Sequence, residues 1–300
     1  MKVFVVGNIG VDETFMINEL PAKGASIHGI KTHQDLGGKG ANQAIILSRC
    51  GIDTTLVAAL GNDTQGQWCR ETINREPLTL RPDYFCAART DSSLIFTCAD
   101  GDNAIITTTT AAQALSLDDI HQALSLSCEQ DVVLQQGNFS AEKTEAIFRL
   151  ARENKLTTVF NPSPFTIQFK AILPLVDILV VNQLEAQGLS GVSDIAHAAK
   201  SLLEAGVGQV IITLGADGAL LLDAHQRQQI AAAPVEVVDT TGAGDTFLAV
   251  MLASALKRRL PVCRQDLVCA AMASAITIGR TGTLSAFPNQ QELADILAAP

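Results

Sequence analysis

Residues 238–247 read Val238-Asp239-Thr240-Thr241-Gly242-Ala243-Gly244-Asp245-Thr246-Phe247, and an apolar segment that predicts a helix over Thr246 to Leu256 follows. Gly242 and Gly244 allow a tight turn, so that successive N–H groups at the helix start converge on one point and form an anion hole. Asp245 then lies where its carboxylate could deprotonate a hydroxyl that attacks a phosphoryl group held there. The alternative is a glycine turn in which Asp245 only caps the helix.

A second glycine-rich stretch, Leu36-Gly37-Gly38-Lys39-Gly40-Ala41-Asn42-Gln43-Ala44, also opens a predicted helix. Its glycines permit close approach of a ligand to the backbone, while Lys39 and Asn42 supply hydrogen-bonding groups that suit a polyhydroxylated molecule. The spacing differs from that of a Walker A loop, which disfavours a P-loop kinase. The alternative is a flexible turn with a solvated lysine.

Outward from these two motifs, short apolar, β-branched runs alternate with helical patterns. This alternation predicts an α/β fold with a mostly parallel central sheet covered by helices on both faces. The predicted strands are Val3 to Val6, Thr55 to Ala58, Asp131 to Leu134, Thr157 to Phe160, Ile178 to Val181 and Val210 to Thr213. The remaining predicted helices are Ala41 to Arg49, Ala141 to Asn154 and Ile195 to Ala205.

Two stretches, about 13–32 and 85–110, break this rhythm with β-forming residues, polar alternation and glycine turns, among them Asp100-Gly101-Asp102-Asn103. They predict antiparallel ribbons that form a small accessory sheet. No linker of proline, glycine and serine divides the chain. We therefore predict a single domain over residues 1–300 with a β-sheet lid.

The composition excludes several classes of protein. A formal net charge of −10 disfavours nucleic acid and anionic membranes as partners. No stretch approaches the ~20 apolar residues that span a bilayer. The seven cysteines contain no Cys-x-x-Cys pair, which is typical of reduced thiols and predicts a cytoplasmic protein.

Several motifs in order along the chain resemble the ribokinase family of carbohydrate kinases, whose members include fructokinases and adenosine kinase. Besides the two glycine motifs, the similarity covers Gly7-Asn8-Ile9-Gly10-Val11-Asp12, Leu60-Gly61-Asn62-Asp63 with Gly66, Asn161-Pro162-Ser163-Pro164, Asn182-Gln183-Leu184-Glu185 and Thr213-Leu214-Gly215-Ala216-Asp217-Gly218. The resemblance implies a ribokinase-like three-layer αβα fold with the lid over the sugar. Lids of this family often pair between subunits, which implies a homodimer.

The resemblance also assigns roles to residues. It implies that Asp245 is the general base, that Gly242, Ala243 and Gly244 form the anion hole, and that the sugar contacts Asp12, Gly38, Lys39, Asn42 and Asp245. It further implies that ATP lies against Asn182, Thr213, Gly215, Gly218 and Gly244. Alone, the segment 213–218 would predict only a hairpin connection, and Asn182 with Glu185 only a helix-capping pattern.

The same resemblance implies that the protein binds two kinds of metal ion. Magnesium would be held through water by Glu185, since hard oxygen ligands are what this ion prefers. Potassium would bind near the anion hole, at Asp239 and Thr241 and at backbone carbonyls around Thr277, Arg280 and Gly282. The family's serine near the end of that loop is replaced by Ala286, which removes one side-chain ligand.

Two further departures concern the sugar. Ribokinases commonly carry asparagine two places before the sugar-binding aspartate, where this chain has Gly10, and a glutamate where it has Gly137 or Asn138. Because an unpaired buried hydroxyl costs about 1–3 kcal/mol, both changes predict a preference shifted away from ribose.

The leading hypothesis is an ATP-dependent kinase of a small sugar, ribose or a related one. A nucleoside kinase of the same fold is the alternative within enzymes, although the chain has only one Trp and one Tyr to stack on a base. A non-catalytic sugar-binding regulator is the alternative from another class. The hypothesis requires the loop ending at Asp245 and the glycine block near Lys39 to meet in space.

Overall fold

The structure is a computed structural model that describes residues 1–98 and 103–298. Its strands, in chain order, are β1 (Val3–Val6), β2 (Gly10–Ile17), β3 (Ile30–Gly37), β4 (Thr54–Val57), β5 (Leu60–Gly61), β6 (Thr79–Arg81), β7 (Phe85–Cys86), β8 (Asp91–Cys98), β9 (Asn103–Thr107), β10 (Val132–Gln136), β11 (Thr157–Asn161), β12 (Ile178–Asn182), β13 (Gln209–Thr213), β14 (Ala219–Asp223) and β15 (Arg227–Ile230).

The α-helices are α1 (Lys39–Arg49), α2 (Thr64–Ile73), α3 (Thr110–Ala114), α4 (Leu117–Leu124), α5 (Ala141–Glu153), α6 (Gln183–Ser190), α7 (Ile195–Glu204), α8 (Ala243–Arg258), α9 (Arg264–Ile278) and α10 (Gln290–Ala298). Short 3₁₀ segments occupy Ile167–Leu175 and Gly215–Asp217. Among the described residues, no helix has both the length and the apolar character needed to cross a membrane.

The central sheet has nine strands in the order β15-β14-β13-β12-β11-β10-β1-β4-β6. Neighbouring strands from β13 to β6 pair in parallel, whereas β14 pairs with both β13 and β15 in antiparallel fashion. The predicted mostly parallel sheet is therefore confirmed. Since all the parallel strands point the same way, the loops after them meet at one edge, and the motifs at Gly7, Gly137, Asn182 and Leu214 lie at that edge.

Helices cover both faces of this sheet. Since successive side chains of a strand point to opposite sides, each strand contributes to two cores. In β1, Val3 and Val5 pack into a core with α1, α8, α9 and α10, whereas Phe4 and Val6 pack into a second core with α4, α5, α6 and α7. The predicted three-layer αβα arrangement is confirmed.

A separate four-stranded sheet, the lid, has the order β3-β2-β8-β9. As predicted, β2 pairs with β3 and β8 with β9 in antiparallel fashion; however, β2 and β8 join the two ribbons by parallel pairing. The lid strands extend to Gly10 and Gly37, beyond the predicted ribbon at 13–32. Phe85 and Cys86 instead pair with Leu60 and Gly61 in a sheet of their own. The predicted turn at Asp100-Gly101-Asp102-Asn103 includes residues 100–102, which lie outside the described residues.

Two helices start earlier than predicted, for the same reason. Helix α1 begins at Lys39 rather than Ala41, and α8 at Ala243 rather than Thr246. Each is preceded by a glycine with positive φ, Gly38 at 95° and Gly242 at 76°. Glycine reaches this conformation without a steric penalty, so the glycine turns are themselves the helix starts.

Candidate active site

Asp245 lies in the first turn of α8 with only 3% of its surface exposed. It makes no capping bond, because no side chain caps this helix. Instead Asn42 Nδ2 donates to Asp245 Oδ2 at 3.0 Å and Gln43 Nε2 donates to Asp245 Oδ1 at 2.8 Å. Lys39 Nζ lies 3.8 Å from the same Oδ1. The structure thus brings the two glycine motifs together, and helix capping does not account for Asp245.

The backbone before Asp245 leaves N–H groups free to bind an anion. The first intrahelical bond of α8 runs from Thr246 N to Gly242 O at 2.9 Å, and Ala243 N donates to Thr240 O at 3.3 Å. Among the described residues, the amides of Gly244 and Asp245 have no backbone acceptor, and a Cβ at Gly244 would meet nothing within 4 Å. Free amides at a helix start, facing open space, are suited to a phosphoryl group.

The glycines of the upstream motif also have a packing task that was not predicted. A Cβ at Gly40 would lie 2.6 Å from Asn8 N, and one at Gly38 would lie 2.9 Å from Asn8 O. Ala41 N also donates to Asn8 O at 2.9 Å. These glycines therefore let α1 pack directly on the loop after β1, and this packing holds Asn42 and Lys39 beside Asp245.

Asp12, on lid strand β2, is the second carboxylate of the site. Burial is the main cause that raises its pKa, to about 6; the negative charges of Asp35 and Asp245 add to the rise, whereas a hydrogen bond from Ser93 and the charge of Lys39 oppose it. Gly37 makes room for this carboxylate, since a Cβ there would lie 2.1 Å from Asp12 Oδ1. Sequence reasoning placed Gly37 in the motif but missed this task.

A cavity of about 430 Å³ opens between the lid and the loops around Asp239 and Gly282. Asp12, Thr14 and His33 line it on the lid side. In the described part of the chain its lining contains aliphatic, hydroxyl and acidic side chains and one histidine, but no Phe, Tyr or Trp. Such a lining suits a small polar ligand better than a stacked base.

A second cavity, of about 170 Å³, is bordered by the start of α8 at Gly244. The predicted nucleotide residues Thr213, Gly215, Gly218 and Gly244 line it together, and Asn182 pairs with Thr213 in the sheet. Ala243, predicted as part of the anion hole, and Phe247 of the same motif also line it, whereas the rest of its lining was missed: Ala232, Ala233, Ala271, Ser274, Ala275 and Ile278. The missed residues are mostly small or apolar and come from two separate segments, so no motif marks them. The segment 213–218 is also the connection between the antiparallel strands β13 and β14.

Asn182 and Glu185 form a reciprocal capping box at the start of α6, with Glu185 N donating to Asn182 Oδ1 at 2.9 Å and Asn182 N to Glu185 Oε2 at 3.0 Å. The helix-capping interpretation is therefore correct. The box still fits a magnesium role, since Oε1 of Glu185 takes no part in it and could accept a bond from a metal-bound water.

The predicted potassium residues come from two loops that hydrogen bonds hold together. Asp239 Oδ1 accepts from Thr241 N at 2.9 Å, and Asp239 Oδ2 accepts from Gly282 N at 3.2 Å. The side chain of Arg280 pairs with Glu292, and Thr277 Oγ1 bonds Thr246 Oγ1, so these two residues offer only their carbonyls. The available donors are oxygens, which suits a monovalent cation; Ala286 is buried and adds none.

The structure explains why glycine occupies positions 10 and 137. A Cβ at Gly10 would lie 2.3 Å from Asp91 O on the paired strand β8, and one at Gly137 would lie 2.2 Å from Pro164 O. Neither backbone could carry the asparagine or glutamate common in ribokinases. Asn138, the other position considered for the glutamate, is buried, with its Oδ1 lacking a partner among the described residues.

Known proteins share this architecture and sequence. The chain is 30% identical over 305 residues to a bifunctional ribokinase/ribose-5-phosphate isomerase A of Fructilactobacillus sanfranciscensis, covering 99% of this chain and 56% of that protein. It is 31% identical over 301 residues to a ribokinase of Mus musculus, covering 97% of this chain and 93% of the other. The crystal structure of a ribokinase from Thermotoga maritima matches with a TM-score of 0.85 at 26% identity, covering 99% of each chain.

The family comparison covers both glycine motifs of the site. The model that describes pfkB family carbohydrate kinases matches residues 2–290. A match of that extent leaves ten residues at the carboxyl end and one at the amino end outside it. This chain belongs to the pfkB family of carbohydrate kinases.

Proposed function

We propose that this sugar kinase transfers the γ-phosphoryl group of ATP to a hydroxyl of ribose or a closely related small sugar, with Asp245 as the general base. The observation that carries the proposal is the position of Asp245: its carboxylate is buried, fixed at both oxygens, and adjacent to the free amides at the start of α8. A base and an anion hole in one helical turn serve transfer between a hydroxyl and a phosphate.

In the proposed reaction the sugar lies in the cavity under the lid, and ATP lies along the cavity lined by Thr213 and Gly215. Asp245 accepts the proton of the attacking hydroxyl as the new O–P bond forms and the bond between the γ-phosphorus and its bridging oxygen breaks. ADP leaves with that oxygen. The amides of Gly244 and Asp245 stabilise the charge on the transferred group.

The remaining residues bind and orient. Asp12 accepts hydrogen bonds from sugar hydroxyls, and Lys39 and Asn42 hold the sugar from the α1 side. Magnesium, placed through water by Glu185, would neutralise charge on the phosphates, and potassium would bind between the Asp239 and Gly282 loops.

The sugar is proposed by chemical class. Gly10 and Gly137 leave two places without the polar side chains that ribokinases commonly have. A sugar that needs fewer contacts there, such as a deoxy sugar, competes with ribose for the assignment. We expect discrimination of about one to two orders of magnitude between the best sugar and its analogue lacking one hydrogen-bonded hydroxyl.

One assay tests the proposal. The purified protein with ATP and magnesium, with and without potassium, is offered pentoses, hexoses, deoxy sugars and nucleosides, and sugar-dependent ADP formation is measured. Ribose or a related small sugar should give the highest kcat/KM. Preference for a nucleoside would replace this proposal by the nucleoside kinase alternative. Sugar binding without ATP turnover would favour the non-catalytic regulator.

A further inference from the structure

Behind Asp245 three side-chain amides form a chain of hydrogen bonds that the reaction scheme above does not use. Gln43 Nε2 donates to Asp245 Oδ1 at 2.8 Å and to Asn161 Oδ1 at 3.2 Å. Gln136 Nε2 in turn donates to Gln43 Oε1 at 2.8 Å. Gln43 and Gln136 are both 0% exposed. The chain therefore connects the carboxyl ends of β10 and β11 to the carboxylate.

The bonds at both ends of this chain fix which way the amide of Gln43 points. Asn161 Nδ2 donates to Val180 O at 3.0 Å, so its oxygen faces Gln43 and demands a donor there. Gln136 presents its NH₂ to Gln43 and so demands an acceptor. With its oxygen bound to Gln136, Gln43 has its NH₂ directed at Asp245 and Asn161. A flipped Gln43 would set its oxygen against a carboxylate and another carbonyl oxygen.

This orientation is kept at a cost elsewhere. Oε1 of Gln136 is buried and has no hydrogen-bond partner among the described residues. A buried acceptor without a partner is rare in folded proteins, and where one occurs the surrounding structure must hold it in place. The Gln136 amide thus satisfies Gln43 and leaves its own oxygen unpaired.

These hydrogen bonds restrict the rotation of the Asp245 carboxylate. Its Oδ2 is bound by Asn42 and its Oδ1 by Gln43, so the plane of the carboxylate is fixed at two points. Without the bond from Gln43, Oδ1 keeps only the more distant Lys39 Nζ at 3.8 Å, so the carboxylate can turn about its Cβ–Cγ bond. A misplacement of about 1 Å at a reacting group can lower the rate about 10²-fold.

We propose that Gln43, oriented by Gln136 and Asn161, is a positioning residue that holds Asp245 Oδ1 in line with the attacking hydroxyl. This inference rests on the proposed function, in which Asp245 is the base. It assigns to Gln43 a role in the rate of transfer and none in binding the sugar, since Gln43 is 0% exposed and its amide is already bonded to Asp245, Asn161 and Gln136.

The test uses three glutamine-to-methionine variants, because methionine has a similar length but donates no hydrogen bond. Gln43→Met removes the bond to Asp245, and Gln136→Met removes only the group that orients Gln43. Gln135→Met is the matched control. Gln135 is the neighbouring residue on β10, is also 0% exposed, and also has an Oε1 without a partner among the described residues, but its Nε2 donates to Thr144 O within α5.

We expect kcat to fall about 10-fold to 10²-fold in Gln43→Met and by a smaller factor in Gln136→Met, with the sugar KM within twofold of the starting protein. Gln135→Met should keep kcat unchanged. In an Asp245→Asn background, Gln43→Met should lower kcat no further, since Gln43 acts through that carboxylate. A solely structural role would instead lower kcat in both backgrounds equally.

Each outcome decides. A kcat of Gln43→Met within twofold of the starting protein, or an equal loss in the Asp245→Asn background, overturns the inference and leaves the proposed function standing. If Gln43→Met fails to fold, Gln136→Met carries the test, and an unchanged kcat there overturns it. Absence of sugar phosphorylation by the starting protein would overturn the proposed function itself, before any variant is compared.

Discussion

Two carboxylates within one site have different surroundings, and their tasks follow from this difference. Asp245 is held by donors on both oxygens, whereas burial raises the pKa of Asp12 to about 6. Ionisation of a buried carboxyl group with few hydrogen-bond donors is unfavourable, and a ligand that donates hydrogen bonds to the carboxylate offsets this cost. Asp12 is therefore suited to bind hydroxyls, while the donors on Asp245 hold its carboxylate in one orientation.

Replacement of Asp245 by asparagine tests the base. The amide keeps the shape of the side chain but cannot accept the hydroxyl proton, so we expect kcat to fall about 10²–10⁴-fold. The dissociation constant for ATP, measured by calorimetry, should change less than about threefold. A variant with near-normal turnover would remove Asp245 from the reaction.

Replacement of Asp12 by asparagine should raise stability while weakening sugar binding. Since the folded pKa of about 6 lies above the usual 3.8, Asp12 gives its full stabilisation only below about pH 4, and this is lost as the pH rises through 6. Asp12→Asn should therefore increase the free energy of unfolding by about 1–3 kcal/mol at pH 8, with the gain shrinking toward pH 4.5. Urea unfolding at both pH values measures this. An equal gain at the two pH values would contradict the assigned cause.

At the level of elements, the two glycines that start α8 are not equivalent. Gly242 has a φ of 76°, and a Cβ there would lie 2.6 Å from the Phe287 ring, whereas a Cβ at Gly244 would meet nothing. Gly242 is therefore required by the backbone of the turn. At Gly244 the protein itself leaves room for a side chain, so a requirement for glycine there would come from a ligand in the adjoining cavity.

Alanine at each of these two positions separates the two requirements. Gly242→Ala should lower the free energy of unfolding by about 1–3 kcal/mol, through the left-handed conformation and the contact with Phe287. Gly244→Ala should leave stability unchanged or raise it by up to about 1 kcal/mol, but should raise the KM for ATP several-fold because its methyl group enters the nucleotide cavity. An unchanged KM in Gly244→Ala would exclude ATP from that space.

Much of the fold follows from local patterns, while parts of the site do not. Six of the seven parallel strands of the described sheet were predicted within two residues at each end, because buried parallel strands are continuous apolar runs, whereas the short edge strand β6 was missed. The parallel pairing of β2 with β8 could not be predicted, since it joins ribbons about 80 residues apart. The glycine motifs indicated Asp245, but the alanines of the nucleotide cavity carry no chemical signal, and the clash that requires Gly10 exists only after β8 is placed.

At the scale of the whole molecule, the lid exposes apolar side chains, among them Met16 at 49%, Ile30 at 62% and Ile105 at 58%. Cross-strand pairing puts Met16 opposite Ile30, and Ile95 opposite Ile105, on the face that also carries Asp12. An uncovered apolar sheet face is typical of an interface. It supports the prediction of a homodimer through the lid. The single domain over residues 1–300 stays a prediction, which limited proteolysis can test.

A matched pair of variants tests the dimer. Ile105 and Ile106 are adjacent in β9 and similarly exposed, but they lie on opposite faces of the lid. Ile105→Asp should lower the dimer fraction in sedimentation velocity at least tenfold more than Ile106→Asp does. A starting protein that sediments as a monomer at all concentrations would contradict the prediction, and equal effects of both variants would place the interface elsewhere.

The bonds that hold Asp245 join residues 203 and 202 positions apart along the chain. During synthesis, α1 leaves the ribosome long before α8 is translated. Until then the side-chain amides of Asn42 and Gln43 are solvated, because their partner Asp245 has not yet been made. Closing so long a loop requires the intervening strands to be in place first. A nascent chain that stops before α8 therefore lacks both the proposed proton acceptor and the proposed anion hole, and under the proposed function it cannot consume ATP while it is still being made.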